Sequence, residues 1–562
     1  MGKLNQEKKA ARAGINVKII SLVSAIAIVA TPLLSYNVNA ASSRTTSKNK
    51  YVKSSTTTAT TTKTSTTTTA AKTTTTPTIA PVATIKAPAT TATITPAATM
   101  APAAATATGT VDMSTAYGLK AGQTLYYNSA ANKHYYDSNF TQSPQKVSDI
   151  LNKAFLDNKD KGVDILVPAG DYLLDKPLVL QNGARLVGVP GKTRFIIDDT
   201  FDRNYDDFII SNAPNSQVYI DGIYVEYIGF KTPPFSDPAQ NPSGIEGMIL
   251  KISNTTKATV TNSSFVVKNN GIKTKCTPVW FRDGYSNVDI HNCYIENTSA
   301  GVAGGCLWFM CNDGKIGDSV NVYNNTIVKN GKDEEIAIWG NGGTHTNYNI
   351  YNNTINYIAD ANNTSVDNLI TVFSYGTGTY KNIKFSNNNI NLTGMAMRIL
   401  LCDVEKSTFS NVVFENNNIK EYVGDPTGVK LISAFEVWCS KLAVETDNET
   451  MYKRCDVSFN NNSYVNSSKD GRRCLASASS ALMKLNGNTV NSNFVYNMFF
   501  EEDGNSKIIS TGNDYNYAGT GNCGFAKISG TNTKAYFTND KIKLDGTSTS
   551  QSNLSFVNCT LK

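Results

Sequence analysis

The sequence predicts an all-β solenoid, a stack of coils built from short parallel strands. The first observation is a recurring hexapeptide, seen at Val322 to Ile327, Ile350 to Ile355, Phe385 to Ile390 and Phe414 to Ile419. In it an apolar residue is followed two places on by Asn and three places further by another apolar residue. Looser copies start at Ile220, Val260, Ile290, Phe459, Leu485, Ser510, Phe537 and Phe556, which makes twelve, with one polar start at Ser510. The second observation is the spacing, 19 to 45 residues from copy to copy. A unit of that size cannot bury its own apolar face and has to stack on its neighbours.

The third residue of each copy is Asn or Gly, from Gly222, Asn262 and Asn292 through Asn324, Asn352, Asn387, Asn416 and Asn461 to Gly487, Gly512, Asn539 and Asn558. These are the residue types that enter the left-handed αL region, and one αL residue turns a strand sharply. Each copy therefore reads as a corner, with apolar residues on both sides pointing into a shared interior.

Repeated αL corners in register resemble the right-handed parallel β-helix of the pectate-lyase-like superfamily. The segment Val163 to Tyr172, with its Val-Pro-Ala-Gly-Asp-Tyr run, and then Leu178 to Gly188 resemble that superfamily's first coils. The resemblance covers about residues 144 to 562 and implies the fold, right-handed coiling included. For function it implies a carbohydrate-active exported protein, a lyase or a glycoside hydrolase acting on an acidic or cell-wall polysaccharide. The fold also hosts non-catalytic surface proteins that bind glycans or hold a structural position. The polygalacturonase motifs are missing, Met397 to Leu400 being only a fragment of one, and the arginine-bearing signatures of the main pectate lyase family are absent as well.

Residues 1–40 read as a secretory signal: basic Lys3, Lys8, Lys9, Arg12 and Lys18, an apolar stretch from Ile19 to Leu34, and a small-residue cleavage site at Val38 to Ala40. A retained N-terminal anchor is the alternative. Residues 41–110 are Thr, Ala and Pro with scattered Lys, a linker that cannot pack a core and whose Thr residues are open to glycosylation. The formal charge of +7 comes from this front part: residues 1–110 sum to +11, and the remainder, with 40 basic and 44 acidic residues, to −4. The basic balance is thus no argument for a nucleic-acid partner in the folded part. The expected location is secreted or cell-surface, with the linker available to an anionic cell wall.

The domain expected to fold is 111–562. Its first residues, to 143, read as a short strand or a wrapped arm. Ser143-Pro144 then predicts the start of a helix whose apolar face is Val147, Ile150, Leu151, Ala154 and Phe155. Solenoids need terminal caps, and this helix is expected to plug the N-terminal end. Ten Cys in an exported chain permit disulfides, with Cys306–Cys311 and Cys439–Cys455 as candidate pairs, or else buried thiols.

The chemistry is expected on a strand that precedes many corners. If Leu250, Phe281, Phe309, Ile338, Val372, Ile399 and Phe435 point inward, strand alternation sets Lys251, Trp280, Arg282, Trp308, Trp339, Arg398 and Glu436 outward on coils about 4.8 Å apart. Asp283 follows Arg282 directly, and Asp333, Glu334 and Glu335 lead into the Trp339 strand. Aromatic faces suit sugar rings, and carboxylates or guanidinium groups suit hydroxyls and uronates. Lys251, Trp280, Trp308, Trp339, Arg398 and Glu436 are therefore candidate substrate-binding residues, and Arg282, Asp283, Asp333, Glu334 and Glu335 candidate catalytic ones. The bland reading of the same residues is a covered satellite cluster with a buried ion pair. Only three His occur, His134, His291 and His345, so a Ser-His-Asp triad or a His-ligated zinc has little to build on. Carboxylate pairs would serve hydrolysis. A Lys or Arg base, with Ca²⁺ as the resemblance implies, would serve elimination. The acidic run 333–335 is a candidate Ca²⁺ ligand set or a solvated turn.

Overall fold

The computed structural model describes residue 107 onward, apart from 203–207, 230–246, 269–275, 299–303, 332–333, 360–367, 395–397, 405–406, 424–431, 440–446, 468–472, 493–498, 502–504, 518–524, 529–533, 545–553 and 562. The signal and nearly all of the linker expected from the sequence, together with Asp333, lie outside the described residues.

The described chain is an all-β, right-handed parallel β-helix. One coil shows the plan: strand Ile336–Gly340, strand Thr344–Tyr351, a corner at Asn352, and strand Thr354–Ala359. The third strands of the coils form a 14-stranded sheet, and the first and second strands join in a 26-stranded one. Among the strand pairings of the described residues, only the hairpin Tyr126–Asn128 with Lys133–Tyr135 is antiparallel.

All twelve predicted corner residues have αL backbone, with φ between 49° and 69°. The apolar residue opening each copy stacks on its equivalent in the next coil: Ile290 on Val322, Ile350, Phe385, Phe414, Phe459 and Leu485 in turn. Ser510 continues this column as its polar exception. Its hydroxyl bonds to Tyr515 at 2.9 Å and Asp540 at 2.8 Å, so the interior position stays satisfied. A second set of αL residues, Asn287, Ser319, Asn347, Asn382 and Asn411, bends the middle strand just before its apolar run, a corner that the hexapeptide does not reveal.

The corner argument gives a direct test. Asn352→Val is expected to destabilise by about 1–3 kcal/mol through φ strain, and Asn352→Gly by much less. Urea unfolding midpoints of the two variants measure the difference. The side-chain hydrogen bonds that join coils at this corner belong to the next residue, Asn353.

At the N-terminal end, strand Gly109–Asp112 pairs with Val163–Leu166, extending the stack by one strand. The capping helix is Ser148–Asp157, later than Ser143-Pro144 suggested, because Lys146 is still extended in a bridge to Leu173. Its buried face is Leu151, Ala154 and Phe155, with Val147 just before it and Ile150 partly covered. Cys439–Cys455 is a disulfide. Cys306 and Cys311 are separate buried thiols. They stand at opposite ends of strand Leu307–Met310, roughly 15 Å apart along an extended chain and out of bonding reach.

Candidate functional site

Register decides what the outer face displays. Leu250 pairs with Val279 and Ile252 with Phe281, so Leu250 and Phe435 fall in one interior column and Phe281, Phe309, Ile338 and Val372 in another, while Ile399, also buried, lies in neither, one place before Leu400 of the first. Outward, one column runs Lys251, Trp280, Trp308, Ala337, Thr371, Leu401, Glu436. The next, two residues along, runs Arg282, Met310, Trp339, Phe373 and, two coils further, Trp438. Trp339 therefore sits beside Trp308 diagonally, not directly above it.

Trp280, Trp308, Met310, Ala337 and Met248 form a small apolar cluster outside the main core, with Phe208 and Trp339 packed against it. Trp280 and Trp308 meet edge to face at 5.3 Å, and Trp308 and Trp339 likewise at 5.9 Å. The two inner indoles are 6% and 5% exposed, and neither N–H has a hydrogen-bond partner in the protein. Gly305 makes room for Trp308: a Cβ there would lie 1.9 Å from the indole nitrogen. Trp339, Phe373 and Tyr375 remain partly exposed, with Tyr375 edge-on to Phe373 at 4.1 Å and to Trp339 at 6.3 Å. The inner Trp residues are thus a floor, and the accessible aromatic surface lies in the Trp339 column.

Arg282 closes one end of that surface. Its guanidinium lies 5.4 Å from the Trp280 ring centre, and its Nε donates to Asp283 at 2.9 Å. Asp283 has αL backbone (φ 57°) and also accepts from Asn312 at 3.0 Å. The Lys251 ammonium stands 5.1 Å from the centre of the Phe208 ring.

Other candidates are placed elsewhere. Arg398 and Glu436 satisfy each other in a bidentate pair at 2.6 and 3.2 Å, and Arg398 also donates to Asn368 at 3.2 Å. Such a fork is a brace across coils rather than an open hydroxyl clamp. Glu334 is nearly buried, and Glu335 is fully buried and points to the interior, next to Ile336 and opposite Leu369. Burial pushes the Glu335 carboxyl well above the usual carboxylate range, with Lys329 opposing the shift. Because Glu335 faces inward, its carboxylate is withdrawn from the expected Ca²⁺ ligand set, of which Asp333 lies outside the described residues. Among the described residues, no three His, Cys, Asp or Glu side chains converge on one point.

The histidines take structural positions. His134 lies 3.0 Å from Asp198, and His291 stacks on Tyr323 at 4.8 Å. His345 is fully buried behind the Trp339 strand. Its Nε2 donates to the Trp339 carbonyl at 3.0 Å, so its Nδ1 accepts the Tyr348 hydroxyl at 2.9 Å, and Tyr348 in turn accepts from Tyr285 at 2.8 Å. Phe373, Tyr375 and Trp438 are the surface aromatics that residue-type reasoning missed. The available signal was alternation carried forward from Trp339 through each following coil.

No family model matches the chain, and no curated protein matches it. Solved structures do show likeness. The catalytic unit of a GH87 α-1,3-glucanase from Streptomyces thermodiastaticus has 14% identity, with 82% of this chain and 69% of that one covered at a TM-score of 0.41. A polygalacturonase from Erwinia carotovora has 14% identity, with 74% and 98% covered at 0.38. The Streptococcus pneumoniae surface protein and adhesin PfbA has 11% identity, with 74% and 96% covered at 0.33.

Proposed function

We propose that this chain is an exported, carbohydrate-active β-helix protein whose polysaccharide lies along the Trp339 column, parallel to the stacking direction. The observation that supports it most is the partly exposed set Trp339, Phe373 and Tyr375 on a rigid floor of Trp280 and Trp308. Flat rings held by packing present sugar-sized apolar faces at little entropic cost. The Arg282–Asp283 pair at one end adds charge for hydroxyls or a uronate carboxylate. Cleavage, in this reading, belongs to Arg282 and Asp283 together with Asp333, and Glu335 takes no direct part.

A second reading, non-catalytic glycan binding at a cell surface, is favoured by one observation. Among the described candidate acids, Glu335, expected to be catalytic, is interior and Glu436, expected to bind substrate, is held by Arg398, so they do not face the strip as a free pair.

Binding of a polysaccharide panel followed by tryptophan fluorescence tests the shared part. Trp339→Ala is expected to weaken binding about tenfold, ~1.4 kcal/mol, with an unchanged melting temperature. Equal binding by the variant rules the column out. Reducing-end and unsaturated-product assays on the glycan that binds separate the two readings: product that disappears in Arg282→Ala supports cleavage, and binding without product supports the second reading.

A further inference from the structure

Inside the stack, beneath the Trp308 and Trp339 coils, three polar side chains meet in an apolar interior. Asn297, Lys329 and Glu335 are each 0% exposed. Asn297 and Lys329 are direct partners on adjacent parallel strands and both point inward. Glu335 directly precedes strand Ile336–Gly340, which opens the coil after that of Lys329, and it interacts electrostatically with Lys329. The Lys329 Nζ and both carboxylate oxygens of Glu335 have no hydrogen-bond partner in the protein. Interiors do not ordinarily hold an ammonium and a carboxylate in that state.

The Asn297 amide is held in one orientation. Its Nδ2 lies 2.8 Å from the Cys276 carbonyl and 2.9 Å from those of Gly304 and Gly305. Three acceptors around one atom identify it as the nitrogen, so the carbonyl side of the amide faces away from this cradle. Gly304, at φ 135°, is needed there, since a Cβ would lie 2.6 Å from the Cys276 oxygen. Neighbouring strands are about 4.8 Å apart, so a lysine stem on the partner strand spans the distance to the Asn297 Cγ.

We propose that Lys329 and Asn297 are joined by a side-chain isopeptide bond that the folded chain forms by itself, with Glu335 as the proton carrier. After passing a proton to Glu335, Nζ of Lys329 attacks Cγ of Asn297, while the Glu335 carboxyl donates its proton to the developing oxyanion. The Nζ–Cγ bond forms, the Cγ–Nδ2 bond breaks, and the proton lost by Nζ leaves on Nδ2 through Glu335 as ammonia departs. Amine and amide become a secondary amide and ammonia; Glu335 is regenerated, and no oxidant or reductant is needed. The upward push that burial gives the Glu335 carboxyl favours its protonated form, as this role requires. The product removes an ionisable amine from the interior and straps two coils together under the aromatic floor.

Peptide mapping of the full chain after denaturation and reduction tests this. The expected result is one linked species containing Asn297 and Lys329, lighter than the sum of its two peptides by one ammonia, with the separate peptides missing. Recovery of both peptides separately at unmodified mass overturns the proposal, and because the native protein is measured, no variant has to fold for that outcome. In Glu335→Gln the two peptides are expected apart, each at its own mass. A link that persists in that variant overturns the role given to Glu335.

Discussion

Asn353→Val is expected to lower stability by on the order of 4 kcal/mol, several times the effect at the adjacent Asn352→Gly. Asn353 is one rung of a buried ladder through Asn325, Asn353, Asn388, Asn417, Asn462, Asn488 and Asn513. Its Nδ2 donates to the Val322 carbonyl and to Asn388, each at 3.0 Å, and its Oδ1 accepts the backbone N–H and the Nδ2 of Asn325, each at 3.0 Å. Valine has nearly the right volume but no polar atoms. It would leave two donors on Asn325 and an acceptor on Val322 buried without partners, at about 1–3 kcal/mol each before relaxation. The ladder ends on Asp540, which only accepts and so needs no further rung; it takes the Asn513 backbone N–H at 2.6 Å and the Asn513 amide at 2.9 Å. Equilibrium urea unfolding of Asn353→Val against wild type measures the loss. A shift below about 1 kcal/mol would mean that the ladder carries little of the stability.

The second large effect is acid sensitivity through His345. Burial lowers its pKa from 6.5 to about 3, with the hydrogen bond to the Trp339 carbonyl opposing the shift in part. The sign follows from proton counts. Below about pH 6.5 the unfolded chain binds a proton at this residue that the folded chain refuses until about pH 3, so folding is progressively disfavoured as pH falls through that window. The stability is fully present above the unfolded value. Between pH 7 and pH 4 this single group accounts for about 3 kcal/mol of loss. Unfolding free energies at both pH values for wild type and His345→Gln isolate the contribution: the variant is less stable at pH 7 but loses about 3 kcal/mol less on acidification. Parallel pH profiles would show that His345 is not the group responsible.

Both predictions rest on residues whose types are visible in the sequence but whose roles are not. The hexapeptide carries two adjacent Asn, and residue chemistry singles out the first, because αL geometry is a property of one residue and its own backbone. The second acts only through partners some 25 to 45 positions away in the chain, in the coils on either side. Likewise, His345 is one of three histidines with no distinguishing motif, and its burial comes from coils that supply Tyr285, Tyr348 and Tyr380. The candidate site divides along the same line. Alternation correctly put Trp280, Trp308 and Arg282 on the outer face, yet it could not assign their exposure, because that depends on what packs beside them from other coils. Glu335 misled the strand reading because the chain bends just before Ile336, where two successive residues, Glu335 and Ile336, are both buried at 0% exposure.

By itself, the sequence determined the repeat, its αL corners, the apolar columns and hence the parallel all-β coil, since each of these follows from local backbone preference and period. It also marked the Cys439–Cys455 pair as a candidate. Tertiary structure alone decided the register. A shift of two residues in a parallel ladder leaves every side chain on its own face yet changes every neighbour, so local preference cannot choose between the alternatives. Register is what set Trp339 over Met310 instead of Trp308, joined Arg398 to Glu436, and placed Lys329 beside Asn297 in the interior.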